Sequence, residues 1–180
     1  MQSSKEAGRV DIPDAVVSVS AKEISAERVY GALADIRRHE VWGGSMHKKK
    51  NYGLTSIDAP AGPGSVGTEF KSTGTDPMGT FSDRSVVTEA SRPGLFEYVT
   101  EGHMTPKKAG KPECDTTITH RYEIRQEGEG CTVTYRGHVA RWTNPPSELT
   151  SKLMRPIVKM IVKSYTKKTL NNLIASADQR

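Results

Sequence analysis

The sequence has few cysteines, few aromatic residues and no long apolar run. Its two cysteines, Cys114 and Cys131, have no CxxC spacing, which excludes a disulfide-rich secreted scaffold. They fit two reduced thiols, and a single Cys114–Cys131 disulfide is the alternative. No apolar stretch approaches the roughly 20 residues that span a bilayer. We therefore expect no insertion into a membrane.

The amino-terminal segment also lacks the apolar core of a secretory signal. Residues 1–14 are polar and charged, and this composition without periodicity predicts a disordered tail over residues 1–12. The expected location is the cytoplasm. Residues 13–178 are expected to form a single domain, because a chain of this length can bury a sizeable core.

The chain also lacks a concentrated charge of one sign. The formal net charge is +5 and the pI is near 9.2, but Lys and Arg are spread along the chain apart from residues 48–50 and 107–111. Neither cluster is interleaved with aromatic residues, and no nucleic-acid-binding motif is present. Surface solvation explains both clusters, so nucleic acid is not an expected partner.

Catalytic and metal-binding motifs are missing as well. The five histidines show no HxH, HExxH or HxxxH spacing, and no GxSxG occurs. We therefore expect no metal and no covalent nucleophile. Residues 62–67 match GxGxxG, but a strand pattern follows them instead of a helix, so they are interpreted as a loop. No cofactor is expected.

The chain does contain an ordered series of strand and helix patterns. Alternating β-branched residues over 15–20 predict the first strand. Ser25 is the predicted N-cap of a short helix, and a second short helix is predicted up to Trp42. Turn sequences then separate five long candidate strands, and a less regular stretch from Met46 to Ile57 is a further candidate.

A long amphipathic helix is predicted from Ser147 onward. Apolar residues recur at i+4 spacing from Leu149 to Ile161, and basic residues occupy the other side. We expect the basic side to be solvated; binding of an anionic membrane or nucleic acid there is the alternative, and it would be weakened by salt. Pro156 lies inside the pattern, so the helix either begins or bends there.

Several short segments have the order and spacing found in one superfamily. They are residues 26–30, 35–42, 64–70, 86–89, 92–93, 130–135 and 170–173. Together they resemble the helix-grip fold of the START and Bet v 1-like (SRPBCC) superfamily, especially its polyketide cyclase/dehydrase and lipid-transport branch. The resemblance implies an α+β fold with a curved six- to seven-stranded antiparallel sheet around a long C-terminal helix. Two short helices are expected after the first strand.

Alternation along the strands predicts one wall of a cavity between the sheet and the long helix. A period of two puts His120, Tyr122 and Ile124 on one face of their strand. If the protein is an enzyme, His120, with a pKa near neutrality, is expected to move a proton while the Tyr122 hydroxyl polarises a carbonyl. The alternative is a core histidine satisfied by a neighbouring hydroxyl. The predicted ligand-binding residues are Trp42, Phe70, Phe96, Tyr98, Thr100, Tyr135, Ile157, Ile161 and Tyr165.

Two classes of function follow from these patterns and from the resemblance. The first is binding of a small hydrophobic or aromatic metabolite, polyketide- or lipid-like, with or without catalysis of cyclisation or dehydration. The second is a non-catalytic protein-interaction module like the co-chaperone relatives of this fold, for which a filled core without a cavity is expected. An open sheet also leaves edge strands that allow pairing into a homodimer.

Overall fold

The computed structural model describes residues 14–43, 53–76, 78–145 and 155–179. Its strands are β1 (Ala15–Ala21), β2 (Gly53–Asp58), β3 (Glu69–Thr75), β4 (Gly79–Ser91), β5 (Leu95–Pro106), β6 (Cys114–Glu127) and β7 (Gly130–Trp142). Its helices are α1 (Ala26–Ala34), a 3-10 turn (Ile36–Arg38), α2 (His39–Trp42) and α3 (Arg155–Asp178). This order agrees with the predicted one. The predicted tail and the predicted start of the long helix lie outside the described residues.

All strands of the described residues belong to one antiparallel sheet. The order is β1-β7-β6-β5-β4-β3-β2, because the two short helices carry the chain from β1 to the opposite edge and hairpins then bring it back. The register shifts at three places, between Leu54 and Ser56, between Val87 and Glu89, and between Thr117 and Ile118. Such irregularities bend strands and increase their twist, which favours a curved sheet.

Helix α1 begins as predicted at its N-cap. The Ser25 hydroxyl oxygen accepts a hydrogen bond from the Arg28 amide at 3.3 Å, which satisfies one of the unpaired donors of the first turn. Val29 and Leu33 are fully buried on the inner side of the helix. Their burial fixes α1, and with it the start of α2, against the sheet.

Helix α3 packs on the rest of the molecule through its second half. Leu170, Leu173 and Ala177 are buried, and the helix contacts β1, α1 and α2. The predicted burial of Ile157 and Ile161 is wrong for the described structure, where they are 44% and 58% exposed. The reason is that the elements on which α3 packs lie beside its later turns.

No helix in the described ranges combines the length and the apolar character needed to cross a bilayer.

The structure also gives positions to the two cysteines and to two histidines, His103 and His138. Cys114 and Cys131 are buried and free, in agreement with reduced thiols. His103 lies on the exposed side of the sheet, where its Nδ1 is 2.9 Å from an Asp115 carboxylate oxygen. His138 is also exposed and lies 2.8 Å from Asp14. Neither histidine lines the cavity described below.

Candidate functional site

A cavity of about 320 Å³ lies between the inner face of the sheet, α2 and α3. Its volume falls within the range of roughly 300–1,000 Å³ that is usual for small-molecule sites. Aromatic, aliphatic and polar side chains all contribute to its wall. Of the chain's aromatic residues, those lining the described cavity are Trp42, Phe70, Phe81, Tyr98, Tyr122, Tyr135 and Tyr165.

The register of the sheet brings Tyr98, His120 and Tyr135 together on the cavity wall. Tyr98 on β5 lies opposite His120 on β6, which in turn lies opposite Gly137 on β7. The Tyr98 and His120 rings stack with centroids 4.7 Å apart. A Cβ at Gly137 would lie 2.6 Å from the Tyr135 hydroxyl oxygen. The absence of a side chain at Gly137 therefore leaves the space through which Tyr135 reaches His120.

His120 and Tyr135 form a hydrogen-bonded pair on this wall. The distance between His120 Nδ1 and the Tyr135 hydroxyl oxygen is 2.9 Å. Burial, helped by the nearby His39, lowers the pKa of His120 to about 4, and burial raises the pKa of Tyr135 well above its ordinary value. Both groups are therefore neutral at neutral pH. The expected near-neutral pKa of His120 is wrong, because burial disfavours the charged imidazolium.

Tyr122, the tyrosine predicted to act with His120, is placed differently. Its ring lies 5.0 Å from that of Tyr135 and 6.3 Å from that of Trp42, measured between centroids. Burial raises the pKa of Tyr122 well above its ordinary value. Tyr122 lines the cavity, but the hydroxyl bonded to His120 belongs to Tyr135. The hydrogen bond between His120 and Tyr135 also agrees with the alternative prediction, in which His120 is a core histidine satisfied by a neighbouring hydroxyl.

His39 is a second buried histidine of the cavity wall, and the sequence analysis missed it. Its Nε2 donates a hydrogen bond to the Leu33 carbonyl oxygen at 2.8 Å, one of the carbonyls left unpaired at the end of α1. Its ring lies 4.5 Å from that of Trp42. Burial lowers the pKa of His39 to about 4. Its position directly after a short helix was the available signal.

A group of polar side chains on β3, β4, β5 and β6 also lines the cavity, and Thr100 is the member of this group that the sequence predicted. The Ser85 and Thr100 hydroxyl oxygens are 2.9 Å apart and both residues are buried. Asp83 is half-buried, and burial raises the pKa of its carboxyl group to about 6. The rule that alternate residues share one face of a strand was used for β6. Used in the same way for β4, it would have placed Asp83 and Ser85 together on the inner face. The polar residues lining this part are Ser72, Asp83, Ser85, Thr100 and Thr116.

Most of the predicted ligand-binding residues do lie on the cavity wall. Phe96 does not, because it is fully buried in the hydrophobic core. Ile157 and Ile161 do not line the cavity either, since α3 turns them outward. Those that line it are Trp42, Phe70, Tyr98, Thr100, Tyr135 and Tyr165.

Two contacts attach α3 to the end of α2 beside the cavity. The Tyr165 hydroxyl donates to the Gly43 carbonyl oxygen at 3.3 Å, and the Asn172 amide donates to the Trp42 carbonyl oxygen at 3.5 Å. The Trp42 indole N–H is buried and has no hydrogen-bond partner among the described residues. Within the same residues, no group of three His, Cys, Asp or Glu side chains has a metal-binding arrangement.

Comparison with known proteins finds structural neighbours. No protein-family model matches the sequence, and no curated protein matches it. A conserved protein from Geobacillus kaustophilus has a TM-score of 0.65 at 12% identity, over 93% of this chain and 96% of that one. The Mll3558 protein from Rhizobium loti has a TM-score of 0.60 at 13% identity, with coverages of 91% and 97%.

A third neighbour has a described biosynthetic setting. The di-domain ARO/CYC protein StfQ from the steffimycin biosynthetic pathway has a TM-score of 0.59 at 15% identity. The match covers 93% of this chain and 52% of StfQ. Together with the sheet order and the position of α3, these likenesses define a helix-grip α+β fold. The predicted fold class is confirmed; at such low identities the likeness shows the fold alone.

Proposed function

We propose that this protein binds a small hydrophobic or aromatic metabolite, polyketide- or lipid-like, in the cavity between the sheet and α3. The observation that carries the proposal is the cavity itself, about 320 Å³ in volume, with aromatic rings on its wall beside aliphatic and polar side chains. An apolar wall with a few polar groups is the usual composition of a small-molecule site. The fold shared with StfQ, a di-domain ARO/CYC protein from the steffimycin biosynthetic pathway, supports a polyketide-like ligand.

The cavity also supports one of the two classes of function over the other. A protein-interaction module has no need of an internal cavity, and its interior is expected to be filled. Here hydroxyl side chains lie around the same space as the aromatic rings. Buried polar groups of this kind stabilise a ligand that pairs with them. The cavity therefore favours ligand binding.

Cyclisation or dehydration is a second candidate function, and the His120–Tyr135 pair supports it. In an aldol-type closure, a neutral imidazole nitrogen accepts the proton lost from the carbon beside a carbonyl. A carbon–carbon bond then forms to a second carbonyl, whose oxygen takes up a proton. Removal of a second proton from the carbon beside the first carbonyl, with departure of the protonated hydroxyl as water, completes the dehydration. Tyr135 and His120 can hydrogen-bond an oxygen on which negative charge develops.

Native mass spectrometry of the gently purified protein tests ligand binding. We expect a stoichiometric apolar or aromatic compound to be retained, and its extraction identifies the ligand class. In a Thr169→Phe variant, a ring added at the cavity wall should abolish retention. Asn171→Phe places the same ring on the exposed side of α3 and should retain the compound. An empty protein without a thermal shift across a panel of hydrophobic metabolites would contradict the proposal and favour an interaction module.

A His120→Ala variant separates an enzyme from a carrier. An enzyme should lose turnover of the co-purified compound class by a factor of about 10²–10⁴, the usual contribution of general acid–base catalysis, while ligand affinity survives. Since the pKa of His120 is about 4, the rate should fall on the acid side near that value and not near 6.5. Unchanged turnover in this variant would exclude His120 from the chemistry.

A further inference from the structure

The charged side chains on the described part of the cavity wall are all acidic. Among the described residues that line it, Asp76 and Asp83 carry carboxylates, and none is a lysine or an arginine. The two histidines of the wall are neutral at neutral pH, because burial lowers the pKa of His39 and of His120 to about 4. The described wall therefore supplies negative charge and no positive charge.

Asp76 is already engaged by the backbone of its own turn. One of its carboxylate oxygens accepts hydrogen bonds from the amides of Met78 at 2.6 Å and Gly79 at 2.9 Å. This arrangement closes the turn between β3 and β4, as Asp side chains commonly do. Asp76 is therefore held in the turn, whereas Asp83 lies within strand β4 on the wall of the cavity.

Asp83 lies in a gap made by a glycine in the neighbouring strand. It is opposite Gly102 on β5, which is opposite Thr116 on β6. A Cβ at Gly102 would lie 2.8 Å from an Asp83 carboxylate oxygen and 2.7 Å from the Thr116 hydroxyl oxygen. The Asp83 and Thr116 side chains thus converge over Gly102 from opposite sides. Ser72 is the side chain hydrogen-bonded to Asp83, which leaves further lone pairs of the carboxylate for other donors.

The surroundings of Asp83 favour a positively charged partner. Burial raises the pKa of its carboxyl group to about 6, since the carboxylate is desolvated and no basic side chain of the described residues offsets this. Phe81, two residues earlier on the same face of β4, and Phe70 on β3 also line the cavity. Aromatic faces attract cations, and a carboxylate forms a strong hydrogen bond with an ammonium group.

We propose that the ligand of this cavity is an amine, with an aromatic or apolar body among the rings and its protonated amino group beside Asp83. This inference rests on the proposed function and specifies the ligand class. A carboxylic acid with the same skeleton would bring its negative charge towards Asp83 without a cation on the described wall to pair with it. The cavity should therefore discriminate by charge between ligands of the same shape.

Isothermal titration calorimetry with three matched probes tests this inference. Tryptamine, 3-propylindole and indole-3-propionic acid share an indole body and differ in the charge of the side chain. At neutral pH we expect tryptamine to bind the wild-type protein at least about tenfold more tightly than 3-propylindole, and the acid to bind most weakly. Asp83→Asn should remove the preference for tryptamine and leave the affinity for 3-propylindole unchanged.

Glu101→Gln is the matched control. It removes one negative charge from the exposed side of β5 and should preserve the preference for the amine. The comparison of the three probes on the wild-type protein stands even where Asp83→Asn does not fold. Equal binding of tryptamine and 3-propylindole, or a preference that survives in Asp83→Asn, would overturn the inference and leave the proposed function intact. If none of the probes binds, the inference fails; if the hydrophobic panel also fails, so does the proposed function.

Discussion

His39 and His120 show how one residue type takes two roles on the same cavity wall. Burial lowers the pKa of both to about 4. The His39 ring donates to the Leu33 carbonyl at the end of α1, so His39 stabilises the turn that positions Trp42. His120 instead contacts the Tyr135 hydroxyl on the neighbouring strand. We therefore assign His39 to structure and keep the predicted proton transfer on His120.

Both histidines make stability depend on pH. Folding lowers the pKa of each from its ordinary value of 6.5 to about 4. Between these values the unfolded chain binds more protons than the folded chain, so the free energy of unfolding decreases as the pH falls from 6.5 to 4. For His39, which is 5% exposed, the loss across this window is on the order of 3 kcal/mol.

Asp83 has the opposite dependence, which a variant can isolate. Its pKa rises from 3.8 to about 6 on folding, so the folded chain binds more protons in that window and gains stability as the pH falls through it. We predict that Asp83→Asn loses stability more steeply than wild type between pH 6 and about 4. Urea unfolding at a series of pH values measures this slope, and Glu101→Gln should follow wild type. A parallel slope in Asp83→Asn would contradict the prediction.

At the scale of elements, the first helix was predictable and the last was predictable only in part. The N-cap of α1 is a local signal, because Ser25 satisfies an amide three residues away. The apolar spacing in α3 identified a helix but did not say which turns have a partner to pack on. Its second half packs on β1, α1 and α2, whereas Ile157 and Ile161 remain exposed in the described structure.

Two glycines differ in whether a distant segment of the chain restricts the residue that can stand there. Gly31 lies inside α1, and a Cβ there would meet nothing within 4 Å. We predict that Gly31→Ala raises the free energy of unfolding by about 0.5–1 kcal/mol, because alanine has less conformational freedom to lose in a helix.

Gly74→Ala is the contrasting variant. A Cβ at Gly74 would lie 2.3 Å from the Gly53 carbonyl oxygen on the neighbouring strand, so this variant should be destabilised. Urea unfolding of both proteins measures the two effects. A destabilised Gly31→Ala protein would mean that α1 does not have the described packing.

At the scale of the whole molecule, the sheet wraps around a space that it does not fill. Phe96 and Val133 are fully buried in the core, while the aromatic rings nearer to α2 and α3 line the cavity. The open edges of the sheet are β1 and β2, and the predicted pairing of such edges into a homodimer stays a prediction. The binding of a ligand would stabilise the folded state by an amount that grows with the logarithm of the ligand concentration divided by Kd.

Local patterns in the sequence were sufficient for the order of elements, the N-cap of α1 and the inward face of β6. These properties depend on neighbours a few residues apart, and strand alternation or helix capping expresses them directly. The contact of His120 with Tyr135 instead of Tyr122 required the folded structure, since it depends on register and on the missing side chain of Gly137. The pKa of His120 and the placement of Asp83 beside the cavity likewise depend on burial by distant segments, which no local pattern encodes.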